Sequence, residues 1–310
     1  TGVSPSGECL SKKAGSLSSE ETISVKEKSL IVHELRPEHK LLHLLRAAGI
    51  ARSVYYYWCK ARQRPDTYAG EKRQIEAIFH KHKGRYGYRR IMWALRAQGC
   101  WLNHKTVQKL MGQLGLKSTV RPKRYKSYRG QLGRVAPNTL DRCFETARPN
   151  TKWVTDVTEF NIRGQKVFLS PILDLYNREI VSYQVATTPH LHMVMTMLDR
   201  AFTRLKGHEG LILHSDQGWQ YQMAAYRKAL SEQGIGLSMS RRGHCHDNAV
   251  MENFFGIMKS ECFHGHQFAN VDAFISELHA YISYYNHDRI KVKLKGLSPV
   301  DYRMQAFSAA

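Results

Sequence analysis

The apolar and polar positions divide the chain into a helical part followed by a part that mixes strands with helices. Between residues 34 and 118, apolar residues recur at the spacing of amphipathic helices. From residue 151 onward, short β-branched and aromatic runs alternate with helical segments, which is typical of an α/β domain. Residues 1–33 are rich in Ser, Gly, Lys and Glu and have little periodicity, so we expect a flexible leader or a join to a preceding segment.

The first helical unit, residues 34–64, is predicted to form a helix-turn-helix. Four leucines between positions 41 and 45 form an apolar stripe, and Gly49 can adopt the positive φ that a sharp turn requires. The second helix is predicted to begin near Arg52, and Arg52 and Ser53 would lie at its exposed start. Such a helix can enter a DNA major groove. An ordinary helical hairpin has the same pattern, but the flanking basic residues favour DNA contact.

A second helix-turn-helix unit is predicted over residues 65–118. Gly99 ends one helix, and Asn103 is a suitable N-cap for the next. The apolar positions of that next helix face inward, which leaves Lys105 and Lys109 on its outer face. We therefore regard these two lysines as candidate DNA contacts.

A basic linker, residues 119–150, is predicted between the helical units and the α/β domain. Its segment 121–134 holds six basic residues and no acid, interleaved with Tyr125 and Tyr128. Basic side chains contact phosphates and aromatic rings stack on bases, so DNA contact is favoured over a merely solvated linker. The candidate contacts in this segment are Arg121, Lys123, Arg124 and Lys126.

The α/β domain, residues 151–290, is predicted to be an RNase H-like core with a mixed five-stranded sheet, followed by a tail at 291–310. Three strands in succession and then alternating helices and strands support this interpretation. The predicted strands are 151–160, 165–175, 179–186, 211–215 and 236–239, and the predicted helices are 191–205 and 223–232.

Three acids on separate elements of this domain form a candidate metal cluster. Asp156 lies in the first strand, Asp216 follows the fourth, and Glu252 lies in a run with helical spacing. Breaking and joining phosphodiester bonds commonly uses two hard cations roughly 4 Å apart. Magnesium prefers oxygen ligands and retains waters, so a few carboxylates suffice to hold it.

The charge distribution indicates a polyanionic partner. The net charge is +21, and residues 51–148 carry 23 Lys and Arg against only 5 Asp and Glu. The 6 cysteines contain no CxxC pair, and the chain shows neither a secretory signal nor an apolar run long enough to cross a bilayer. We expect no membrane association and a cytoplasmic protein located at a bacterial nucleoid.

The motifs around the three acids resemble those of bacterial insertion-sequence DDE transposases, whose core is similar to retroviral integrases. They are Trp153-x-x-Asp156-x-Thr158, His214-Ser215-Asp216-x-Gly218 and Asp247-Asn248-Ala249-x-x-Glu252-x-x-Phe255, with Lys259 seven residues after the glutamate. The resemblance extends from about residue 34 to residue 303. One departure is Lys291, where many members have a histidine, and this bears on DNA contacts of the tail.

The resemblance implies a transposase that binds the ends of its element, cleaves DNA at the 3′ end and transfers that strand, through a circular intermediate. It implies that Asp156, Asp216 and Glu252 hold two Mg²⁺ ions, with Mn²⁺ as a substitute, and that Lys259 contacts DNA near the cleaved phosphate. Double-stranded DNA of the terminal inverted repeats and the target, and a homodimer or larger assembly on DNA, are the implied partners. Further basic candidates in the loop before the glutamate helix are Arg241 and Arg242.

Several alternatives remain open from the sequence. The enzyme could be a related nuclease or resolvase without strand transfer, or the protein a DNA-binding regulator of transposition with an inert core. A Ser-His-Asp hydrolase at residues 214–216 is disfavoured, because adjacent strand residues point to opposite faces. A zinc site is disfavoured by its spacing, which matches no structural zinc pattern; its residues would come from His244, Cys245, His246, Cys262, His264 and His266.

Overall fold

A computed structural model describes residues 24–63, 65–119, 136–205, 210–241 and 245–308. The chain divides between Glu71 and Lys72 into two compact units. None of the described helices is long and apolar enough to cross a membrane.

The first unit contains three helices: α1 (Val25–Leu35), α2 (Leu41–Ala48) and α3 (Arg52–Gln63). The tight turn between α2 and α3 is as predicted, with Gly49 at φ +64°. Helix α1 differs from the expectation of a flexible leader through residue 33. A reciprocal capping box between Ser24 and Glu27 starts it, and its apolar side chains pack against α2 and α3. The rest of the predicted leader, residues 1–23, lies outside the described residues.

The second unit begins within a group of three helices: α4 (Ala69–Lys81), α5 (Tyr88–Ala97) and α6 (His104–Gln113). Gly99, at φ +82°, follows α5. The side chain of Asn103 accepts a hydrogen bond from the backbone N–H of Lys105, so the predicted N-cap of α6 is present. Buried aliphatic residues from all three helices form one core, among them Ile75, Ile91, Leu95, Val107 and Leu110.

A mixed sheet follows, with strands β1 (Lys152–Thr155), β2 (Thr158–Ile162), β3 (Gln165–Asp174), β4 (Ile180–Ala186), β5 (Ile212–Ser215) and β6 (Gly236–Met239). Strand β3 pairs antiparallel with β2 and β1 along one edge and with β4 along the other. Strands β1, β5 and β6 are parallel neighbours. The prediction of a single strand over 151–160 is wrong, because this segment forms two strands, β1 and β2, separated by Asp156 and Val157. At this interruption the N–H of Val157 donates to the carboxylate of Asp156 at 2.7 Å.

Helices cover both faces of this sheet. They are α7 (Leu191–Phe202), the short α8 (Trp219–Gln222), α9 (Ala224–Glu232), α10 (Ala249–Met258) and α11 (Val271–His287). The last helix, α12 (Pro299–Ser308), contacts α11. Successive strand residues point to opposite faces. Accordingly, Trp153 packs with the core beneath α7 and α9, and Val154 packs with the core beneath α10 and α11.

Helix α10 continues directly into a π-helical turn, Lys259–Phe263. A 3₁₀ turn, Cys245–Asn248, precedes α10, and another, Val292–Leu294, precedes α12. The candidate metal ligands Asp156 and Asp216 thus follow the ends of two strands, and Glu252 lies on α10, the helix that continues into the π-helical turn.

Candidate active site

Asp156 and Asp216 immediately follow the adjacent parallel strands β1 and β5. In the register of these strands, Val154 is paired with His214, so each aspartate lies two residues beyond the same pair. The carboxyl ends of parallel strands meet at one edge of a sheet, and both aspartates therefore stand at the same level of that edge.

Backbone groups hold both carboxylates in place. Oδ1 of Asp156 accepts from the N–H of Val157 at 2.7 Å, and Oδ1 of Asp216 accepts from the N–H of Gly218 at 2.9 Å. Both side chains are half-buried. Burial and the charge of Asp216 raise the pKa of Asp156 well above its ordinary value, and burial raises the pKa of Asp216 as well. Burial, and for Asp156 the charge of its neighbour as well, thus disfavours the ionised forms of these two carboxyl groups.

Glu252 lies in the first turn of α10, and the start of this helix is fastened to β1. The side-chain amide of Asn248 donates to the carbonyl oxygen of Thr155 at 3.2 Å, one residue before Asp156. The charge of Glu252 further raises the pKa of Asp156, which places the third acid within electrostatic reach of the first. Asn248 occupies the N-cap position, but its side chain makes no capping hydrogen bond.

Lys259 lies seven residues beyond Glu252, close to two helical turns, on the same side of the helix. Its ammonium group lies 5.2 Å from the centre of the Phe160 ring and lowers the pKa of Asp156. A cation therefore borders the cluster of acids.

The residues present fit a divalent cation by their chemistry. Carboxylate oxygens are the ligands that magnesium prefers, and the charges of two further acids act on Asp156. Oδ1 of Asn248 is buried without a hydrogen-bond partner among the described residues, and a water on a hydrated cation could satisfy such an atom. In the described part of the chain, no three His, Cys, Asp or Glu side chains converge closely enough to enclose a metal ion. The same finding covers the described members of the zinc alternative, His246, Cys262, His264 and His266.

His214 has a structural role in the strand that ends at Asp216. Its Nδ1 lies 2.8 Å from the hydroxyl of Ser238, and its Nε2 lies 3.1 Å from that of Ser240. Burial lowers the pKa of His214 to about 4, so the ring is neutral and joins β5 to the segment around β6. The Ser215 hydroxyl instead donates to the backbone carbonyl of Asp216 at 2.9 Å. These three residues do not form a hydrolase relay.

Sequence reasoning missed two tyrosines behind the aspartates. Tyr221 and Tyr226 are buried with their rings 5.3 Å apart, edge to face. Burial, together with the charges of Asp156 and Asp216, raises the pKa of Tyr221 well above its ordinary value. The available sequence cue was the position of Tyr221 one helical turn after the HSDQG segment, on the short helix α8.

The predicted DNA-contacting residues are distributed over both units. Arg52 and Ser53 are exposed at the start of α3, and Lys105 and Lys109 are exposed on α6. Arg241 is engaged by the protein itself, because its Nε lies 2.9 Å from Oδ2 of the buried Asp247. The remaining candidates lie outside the described residues: Arg121, Lys123, Arg124, Lys126 and Arg242.

Comparison with known proteins assigns the family. Sequence profiles described as Integrase core domain match residues 146–245 and 252–307, and an HTH-like domain profile matches residues 68–124. The transposase InsK for insertion sequence element IS150 of Escherichia coli K12 is 52% identical over 277 residues, which cover 89% of this chain and 98% of that protein. The chain belongs to the insertion-sequence transposases. Transposase InsF for insertion sequence IS3A of the same organism is 31% identical over 281 residues, again 89% and 98% of the two chains.

As a transposase with an integrase-type core, the protein is an enzyme of the polynucleotidyl transferase class. The Integrase core and HTH-like matches, with the sheet described above, confirm the predicted RNase H-like core preceded by helical units. Among solved structures, the HTLV-2 integrase catalytic core is similar at 14% identity and a TM-score of 0.40, over 51% of this chain and 98% of that chain. A simian T-cell lymphotropic virus intasome is similar at 16% identity and a TM-score of 0.40, over 70% of each chain.

Proposed function

We propose that this transposase cleaves DNA at the 3′ ends of its insertion element and transfers those ends to a new phosphodiester bond in one active site. Asp156, Asp216 and Glu252 are its catalytic residues. The observation that carries the proposal is the register of β1 and β5, which sets the two aspartates side by side at the sheet edge. The hydrogen bond from Asn248, at the start of α10, to Thr155 supports the inclusion of Glu252.

The three carboxylates would hold two Mg²⁺ ions, with Mn²⁺ as a substitute. Bound there, the ions would activate the attacking oxygen and stabilise the leaving oxygen of the scissile phosphate. The raised pKa of Asp156 supports this assignment, because burial and the neighbouring acids disfavour its ionised form and a bound cation would offset both.

The chain's own residues position the DNA. Lys259 borders Asp156 and would pair with a phosphate oxygen next to the scissile bond. Helix α6 would present Lys105 and Lys109 to the phosphates of the terminal repeat, and Arg52 and Ser53 would do so from α3. No covalent protein intermediate is needed, since orientation and charge neutralisation lower the barrier.

Two further features of the proposal follow from the family. Joining one element end near the other would produce a circular intermediate that later inserts. Work on two ends requires at least two protomers, so the assembly on DNA would be a dimer or larger, acting at the nucleoid where its substrate lies.

The experiment incubates the full chain with DNA that bears the element ends, a target plasmid and Mg²⁺. Joined products are expected from the wild-type protein. The Asp156→Asn variant is expected to bind ends with unchanged affinity and to yield no cleaved product. Cleavage without joined products would favour a nuclease or resolvase, and end binding without cleavage by the wild type would favour a regulator. Unchanged cleavage by Asp156→Asn would refute the assignment of the metal ligands.

A further inference from the structure

The helix that carries Glu252 and Lys259 ends in a buried ion-pair network. Within the π-helical turn, the carboxylate of Glu261 is fully buried and accepts two hydrogen bonds from Arg289, at 2.8 Å from Nε and 2.7 Å from Nη2. The Tyr281 hydroxyl donates to the same carboxylate at 3.0 Å. Burial alone would raise the pKa of Glu261, but the bonds and charge of Arg289 reverse the effect and lower it, so the carboxylate stays ionised.

A residue of the second helix-turn-helix unit shares this carboxylate. Nη1 of Arg90, on α5, lies 3.4 Å from Oε1 of Glu261. The preceding segment adds further bonds to the core: Nε of Arg85 donates to the backbone carbonyl of Glu261 at 3.1 Å, and the Tyr86 hydroxyl donates to the carbonyl of Asp288 at 2.8 Å. The predicted DNA-binding helices are therefore attached to the end of the catalytic helix.

Helical geometry places Lys259 and Glu261 on opposite faces of the helix end. Lys259 shares the face of Glu252, toward Asp156, whereas Glu261 lies two residues later and so roughly half a turn around the helix. One end of the helix thus presents one face to the active site and the opposite face to Arg90. Single π-helical turns within α-helices are frequent at functional sites, where the wider winding redirects side chains.

We propose that Arg90 is a positioning residue, which acts through Glu261 to align Glu252 and Lys259 with the aspartates when α5 and α6 hold DNA. The inference rests on the proposed function for its catalytic consequence. Arg90 is suited to a test of this role because Glu261 has a second ion-pair partner, Arg289. When Arg90 is replaced, Glu261 keeps both bonds to Arg289, so no buried charge is left unpaired.

The neighbouring Arg89 provides a matched control. It has the same charge and lies on the same helix, but its side chain is exposed and its guanidinium lies over the Tyr88 ring. The test compares Arg90→Gln, Arg90→Lys and Arg89→Gln in the full chain. The measurements are end-DNA affinity, thermal melting, and the single-turnover cleavage rate with Mg²⁺ at saturating DNA.

Arg90→Gln is expected to cleave roughly tenfold more slowly at saturating DNA, since small misplacements of catalytic groups cost that much or more, while its affinity for end DNA matches wild type. Arg90→Lys keeps the charge beside Glu261 and is expected to recover most of the rate. Arg89→Gln is expected to cleave saturating DNA at the wild-type rate. Equal rates for Arg90→Gln and Arg89→Gln would overturn the proposal. A glutamine variant that melts at the assay temperature would overturn it too, because Arg90 would then hold the fold.

A measurement without catalysis separates this inference from the proposed function. Binding of end DNA, without metal, is expected to slow amide hydrogen exchange across residues 249–263 in the wild type and to leave it unchanged in Arg90→Gln. If the wild type cleaves no DNA but shows this exchange difference, the proposed function fails and the coupling stands. If both proteins respond alike to DNA, the coupling fails whatever the activity.

Discussion

The backbone N–H of Gly218 donates to Oδ1 of Asp216 at 2.9 Å, and a Cβ at position 218 would lie 2.9 Å from that same oxygen. Gly218 has a φ of −56°, which any residue can adopt, so space rather than backbone conformation requires the glycine. The D-x-G spacing of the sequence therefore lets the chain close around the carboxylate of Asp216.

We expect Gly218→Ala to lower the cleavage rate by about tenfold or more, because the new methyl group displaces Oδ1 of Asp216 from its position. Thermal melting should change little. The control is Gly112→Ala on α6, where a Cβ meets nothing within 4 Å, and this variant should retain activity. A wild-type rate for Gly218→Ala would show that the carboxylate can move without loss of function.

Asp156→Asn is expected to raise the melting temperature of the metal-free protein by about 2 to 4 °C, corresponding to roughly 1 kcal/mol. The substitution removes one of two like charges that are held close together and partly buried. Added Mg²⁺ should raise the melting temperature of the wild type but not of the variant. Asp199→Asn, at an exposed position on α7, serves as the control and should leave both measurements unchanged. A lower melting temperature for Asp156→Asn would contradict the predicted repulsion.

The free energy of unfolding is expected to fall between pH 6.5 and pH 4 through His82. Burial, assisted by the charge of Lys81, lowers the pKa of His82 to about 4, and its ring stacks on Tyr86 at 3.8 Å. An unfolded chain's histidine takes up a proton near pH 6.5, so over this interval the unfolded state binds more protons and acid favours unfolding. The loss attributable to this residue is roughly 3 kcal/mol.

His82→Phe should keep the stacked ring and reduce the dependence on pH, as measured by chemical denaturation at several pH values. Part of the dependence should remain in this variant, because the pKa of His214 is also lowered to about 4. An unchanged pH profile in His82→Phe would show that His82 is not the group that titrates.

Ser215→Ala is expected to cleave DNA within about twofold of the wild-type rate. The Ser215 hydroxyl donates to the carbonyl of Asp216, and its removal should cost about 1 kcal/mol of stability, measurable by denaturation. A loss of cleavage beyond about 100-fold without unfolding would instead indicate that this hydroxyl takes part in the chemistry.

Local patterns predicted much of this fold from sequence. The positive φ at Gly49, the N-cap at Asn103 and the strands flanking the aspartates each depend on neighbours within a few residues. The capping box of Ser24 and Glu27 is equally local, but the composition around it favours a flexible segment.

Contacts between distant residues could not be predicted in the same way. Arg90 and Glu261 are separated by 171 positions, and their pairing depends on how a helical unit docks onto an α/β core. The engagement of Arg241 by Asp247 is short in sequence but requires the buried position of the acid, which only the folded structure supplies. The sequence therefore predicts a DNA contact for Arg241, whereas in the structure this side chain pairs with Asp247 of the same chain.

The shared register of β1 and β5 has a consequence for how the chain can vary. An insertion or deletion of one residue in either strand would slide one aspartate about 3.3 Å along the sheet and turn its side chain to the other face. Substitutions that keep the length of these strands leave Asp156 and Asp216 aligned with each other along the sheet. The number of residues leading up to each aspartate is thus as much a part of the proposed site as the carboxylates themselves.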